Sequence, residues 1–138
     1  MRLVTEVLKK NTGNEDICLS ASVIYRNMAE YTVYSGHTMS VFSDIGFKFL
    51  FQVLEEHTNN LKICENVLKL FEKGTDPDLI KKAFERKKLD RLLKGFVALN
   101  AVMKMHMASR KVARGYVSFL VMIILSFTQG DVEVSSSK

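Results

Sequence analysis

The chain contains a displaced copy of itself. Moving the numbering by 46 sets Val7 on Val53, Leu8 on Leu54, Thr12 on Thr58, Asn14 on Asn60, Ile17 on Ile63 and Cys18 on Cys64. The register continues without a gap to Ala21 on Val67, Ile24 on Leu70 and Tyr25 on Phe71. Self-similarity of this kind limits the fold to architectures built from a recurring unit. The unit reads as helical. Phe47, Leu50, Phe51 and Leu54 fall at i, i+3, i+4 and i+7, which lines one face of a helix. The polar break His57-Thr58-Asn59-Asn60 follows, and Ile63, Val67, Leu70 and Phe71 then form a second apolar face. Two amphipathic helices joined by a short turn are predicted.

A third copy needs a shift of 49. It places Val112, Tyr116, Phe119 and Leu120 on Ile63, Val67, Leu70 and Phe71. The helix before it, marked by Leu92, Phe96, Leu99 and Met103, is about two turns longer than its counterparts, which absorbs the changed shift. Asn14, Asn60 and Ser109 each stand three residues before the first apolar position of the second helix. Each side chain can accept from an otherwise free backbone N–H, so all three are predicted N-caps.

The segments NEDICLSASVIYRNMAEY and NLKICENVLKLFEKG resemble the third helix of an armadillo repeat, and Arg26-Asn27-Met28-Ala29 resembles its ending with a groove-facing asparagine. The period of about 40–50 residues suits the same family. The resemblance implies an all-α, armadillo-like α-solenoid of about three degenerate repeats, approximately residues 1–35, 36–77 and 78–127. It also implies a groove for a protein or peptide, lined by Asn27, Glu30, Asn66, Lys69 and Lys73. The sequence departs from the family where Asn27 gives way to Lys73 and Met122, and it has no tryptophan. The asparagine and tryptophan arrays that hold extended peptides in some armadillo proteins are therefore not expected here.

The first long helix is expected over Asn14–Tyr31, ended by the loop Thr32–Met39 with Gly36 as its breaker, and a short linking helix over Thr38–Asp44. Thr75-Asp76-Pro77-Asp78 opens a second linking helix through Phe84: an N-cap, a proline where its missing N–H costs nothing, then an acid in the first turn. Gly95 and Gly115 fall inside helices, where close helix approach is expected. Tyr116–Phe127 is apolar on every side and too short to span a bilayer, so it is expected to be buried all round, covered by a further repeat or a partner. Residues 128–138, polar and serine-rich, are expected to lack regular structure.

Charge is unevenly placed. Between Leu79 and Gly115 eleven basic side chains face only Glu85 and Asp90, in a chain of net charge +5, which leaves the remainder acidic. Lys81, Lys82, Arg86, Lys87, Lys88 and Arg91 form the candidate basic patch, suited to an acidic protein partner. The one aromatic within Lys81–Arg91, Phe84, belongs to the apolar positions of the linking helix rather than to a stacking platform for bases, which disfavours nucleic acid.

No catalytic, cofactor-binding or metal-binding residues are predicted. His37, His57 and His106 have no zinc-site spacing with each other or with Cys18 and Cys64, and there is no HExxH, phosphate-cradling glycine loop or GxSxG elbow. The two cysteines fall at equivalent positions on apolar faces and read as core residues of a reducing compartment. With no continuous apolar leader at the N-terminus, an intracellular location in cytoplasm or nucleus is expected. Because the first helix starts almost at once, the chain reads either as starting on an N-terminal cap or as one piece of a longer array. The expected function is thus a non-enzymatic protein-interaction scaffold, with self-association through the apolar C-terminal helix as a further expectation. Two other classes fit parts of the pattern: a small Bcl-2-like bundle that receives a partner helix, and a HEAT-like binder of nucleic-acid backbone.

Overall fold

The computed structural model describes residues 2–32, 48–74 and 89–136, and every regular element among them is an α-helix. In chain order these are α1 (Arg2–Lys10), α2 (Glu15–Thr32), α3 (residues 48–56), α4 (Leu61–Gly74), α5 (Leu89–Met105) and α6 (Arg110–Ser136). The predicted linking helices at Thr38–Asp44 and Thr75–Phe84 lie outside the described residues.

The helices form three consecutive pairs, each closed by the same four-residue turn. In every turn the cap residue donates its N–H to the carbonyl three residues back: Asn14 to Asn11, Asn60 to His57 and Ser109 to His106, each at 3.0 Å. All three predicted caps are formed. Asn14 Oδ1 accepts from Ile17 N–H at 3.1 Å, Asn60 Oδ1 from Ile63 N–H at 3.0 Å, and Ser109 Oγ from Val112 N–H at 3.2 Å. Glu15 and Asp16 in the first turn of α2, and Lys9 and Lys10 in the last turn of α1, complement the helix dipoles on either side of the first turn.

α4 is the centre of the molecule, packed on α2 along one side and on α6 along the other. Ile63, Cys64, Val67, Leu68, Leu70 and Phe71 on it are all buried. Phe51 of α3, Phe71 of α4 and Phe119 of α6 meet in one aromatic cluster, with ring centroids 4.8–6.1 Å apart. Both helix-interior glycines serve close approach, as predicted. A Cβ on Gly115 would lie 2.6 Å from Leu68 Cβ and 2.8 Å from its carbonyl oxygen, and one on Gly95 would overlap the Phe51 ring.

Two expectations are corrected. Residues 116–127 are not buried all round: Phe119, Ile123 and Ser126 are buried, whereas Val117, Val121 and Ile124 are 45–60% exposed. α6 turns one stripe to α4 and α5, and among the described residues no element covers its other side. Of the tail expected to be irregular, residues 128–136 are helical, since α6 runs on to Ser136. Thr128 Oγ1 bonds back to the Ile124 carbonyl at 2.8 Å, and extending a helix already nucleated costs far less than starting one.

Candidate interaction surfaces

The joints between successive helix pairs repeat as closely as the turns do. Leu8, Cys18, Ser22 and Tyr25 of the first pair meet Leu50, Val53, Val67 and Leu70 of the second, with a residual space of only about 10 Å³. Above this seam the His57 ring reaches back to the preceding turn, its Nε2 2.7 Å from the Thr12 carbonyl oxygen. His106 makes the same bond to the Thr58 carbonyl, also at 2.7 Å. A carbonyl only accepts, so both rings carry a proton on Nε2. Sequence reasoning missed this role because it weighed the histidines as metal ligands. The signal was present: Asn11, His57 and His106 coincide under the shifts of 46 and 49.

Both cysteines sit in the turn cores. Cys18 Sγ donates to the Thr12 carbonyl at 3.2 Å, and Cys64 Sγ reaches the His57 and Thr58 carbonyls at 3.5 and 3.6 Å. Burial pushes the Cys18 thiol up to about 11 and the Cys64 thiol up to about 12, with the nearby carboxylates of Glu56 and Glu65 adding to each. These are neutral packing groups rather than nucleophiles at ordinary pH. Among the described residues, no group of three or more His, Cys, Asp or Glu side chains is placed to hold a metal ion.

The predicted groove residues are divided by the fold. Asn66 is buried and used internally: Oδ1 accepts from Arg26 Nη1 at 2.8 Å, and Nδ2 donates to Ser22 Oγ at 3.1 Å. It ties α4 to α2 and is not offered to a partner, which corrects its placement on the groove surface. Asn27 is exposed and accepts from Arg26 Nη2 at 3.3 Å. Lys69 is half-buried beside Glu72 at 3.8 Å, and Lys73 is exposed at the end of α4. Glu30 lies in α2 and Arg91 in α5, their side chains outside the description; Lys81, Lys82, Arg86, Lys87 and Lys88 lie outside the described residues altogether.

Among the described residues, apolar surface remains exposed on the first and third helix pairs. At the first pair, α1 and α2 enclose a groove of about 420 Å³ walled by Leu3, Val4, Val7, Ile17, Ala21 and Ile24. At the third pair, Val117, Val121 and Ile124 form an exposed stripe at i, i+4 and i+7 on α6, and Leu93 and Val97 are 64% and 70% exposed on α5. No helix among the described residues is long and apolar enough to cross a membrane. The chain matches no family model, no curated protein and no solved structure.

Proposed function

We propose that the chain is a non-catalytic, armadillo-like α-solenoid that acts as a scaffold for a protein partner of acidic character. The observation that carries this is the threefold recurrence of one turn and one cap, with the same histidine bond at both joints between pairs, which supports a shape produced by stacking rather than a cavity built for chemistry. Open apolar stripes on α5 and α6 support contact with protein surface. Two neutral, unpaired thiols suit a reducing, intracellular compartment. The basic run Lys81–Arg91 supplies attraction to acidic surface.

The test is affinity purification from cells with the intact chain, alongside a variant carrying Lys81, Lys82, Lys87 and Lys88 as glutamates. A partner whose binding is confirmed with purified components, and which the variant loses at least tenfold, supports the scaffold with its basic contact. A partner retained by the variant moves the contact to the apolar faces. Failure of every recovered protein to bind directly, together with steeply salt-dependent binding to nucleic acid, overturns the proposal.

A further inference from the structure

The two exposed end faces correspond, position by position, to the two sides of the internal seam. Leu50, Val53, Val67 and Leu70, which the second pair buries against the first, correspond under the shift of 46 to Val4, Val7, Ala21 and Ile24. All four of these wall the groove at the first pair. On the opposite side of the seam, Leu8, Cys18, Ser22 and Tyr25 correspond through both shifts to Met103, Ala113, Val117 and Leu120 of the third pair. The first set lies on the side that the second pair turns to its predecessor. The second set lies on the side that the first pair turns to its successor.

From this correspondence, and resting on the stacked-repeat reading above, we infer that the occupant of the α1–α2 groove is the outer face of α6 from a second copy of this chain, joined head to tail. The seam already present inside the molecule is the template. Its two sides are apolar at every corresponding position of the open ends. Charge agrees with the register. Glu15 stands at the position of Arg110, and its carboxylate accepts from Asn60 Nδ2 across the existing seam. The same step between copies brings Arg110 to Asn14, beside Glu15 and Asp16 at the start of α2.

The joint between copies differs from the internal ones at one place. Asn11 replaces the histidine of the other turns, and its Nδ2 donates to the Val7 carbonyl of its own helix at 2.8 Å. The histidine bond that spans each internal seam is therefore not made by this ring position, so association is reversible and depends on concentration. A head-to-tail joint that does not close on itself propagates into open chains.

The test is sedimentation equilibrium of the full chain over a concentration series, with Ile24→Glu blocking the groove and Val117→Glu blocking the outer face. Leu3→Glu and Ile124→Glu, at positions 73% and 60% exposed, serve where the first variants lose helicity. The intact chain is expected to rise past dimer mass with concentration, while each variant alone stays monomeric. An equimolar mixture of one groove variant and one outer-face variant should form a dimer and stop there, because one competent seam remains. An intact chain that stays monomeric overturns the inference, as does a single-face variant that still dimerises. A monomer that nevertheless binds a protein partner fails this inference alone and leaves the scaffold standing.

Discussion

His106 donates its Nε2 proton to the carbonyl oxygen of Thr58 at 2.7 Å, and Thr58 belongs to the turn that His57 opens. His57 in turn spans the same distance to Thr12 one layer earlier. The two rings are rungs of one ladder, each fixing the turn of its own pair against the turn before it. The bond requires only that Nε2 be protonated, which holds for the Nε2–H tautomer and for the imidazolium alike.

Removing the rungs should therefore loosen the stack by unequal amounts. His57 is buried, so His57→Ala is expected to destabilise by about 2–3 kcal/mol, against about 1 kcal/mol for the more exposed His106→Ala. His57→Phe keeps the ring volume and loses the bond, with an expected cost of about 1–2 kcal/mol. Denaturant midpoints at unchanged slope measure all three. Wild-type stability in His57→Phe would show that ring packing, not the bond, holds the seam.

Glycine at 115 is set by backbone contact, and glycine at 13 is not. Gly115→Ala must push against the Leu68 carbonyl, so it should cost about 1–3 kcal/mol even after the gain of about 1 kcal/mol in helix propensity. Nothing lies within 4 Å of a Cβ on Gly13, and Gly13→Ala should be neutral or stabilising by up to about 1 kcal/mol. Thermal melts of the two variants, measured side by side, decide this; equal shifts would remove the case for α4–α6 contact at Gly115.

The paired helices, the three caps and the buried cysteines were legible in the sequence because each rests on local spacing: an apolar face, a cap three residues ahead of it, a small residue at a fixed step. What sequence spacing does not carry is which polar side chain faces a neighbouring layer. Asn27 and Asn66 look alike as helix-borne asparagines, yet one is exposed and the other is enclosed between α2 and α4. Composition misjudged α6 for a related reason. Residues 116–127 are apolar on all sides, but burial is decided by what packs there, and the described helices cover only one side.

Enclosure makes Asn66 a stability residue. Asn66→Ala leaves both Arg26 Nη1 and Ser22 Oγ without the partner they have across the α2–α4 seam, and is expected to cost about 1–3 kcal/mol. Asn27→Ala, on the exposed face, should change stability by less than about 0.5 kcal/mol. If Asn27 contacts a partner, its substitution weakens binding without moving the melt. Equal stability of the two variants would return Asn66 to the surface.

The thiols make the fold sensitive to alkaline pH. An unfolded cysteine ionises near 9.0, whereas folding holds Cys18 up to about 11 and Cys64 up to about 12. Below pH 9 both states keep their thiol protons and the contribution to stability is complete. Above it the unfolded chain releases protons that the native chain retains, so stability falls as pH rises towards the folded values. The expected outcome is a denaturant midpoint that drops between about pH 9 and pH 11, with the drop reduced in Cys64→Ala relative to the intact chain. The same burial should slow alkylation by iodoacetamide at pH 8.5 well below the rate for the unfolded chain, with Cys64 slower than Cys18. Rapid labelling of Cys64 in the native protein would show that the α3–α4 turn opens readily and that its thiol is not held as a neutral packing group.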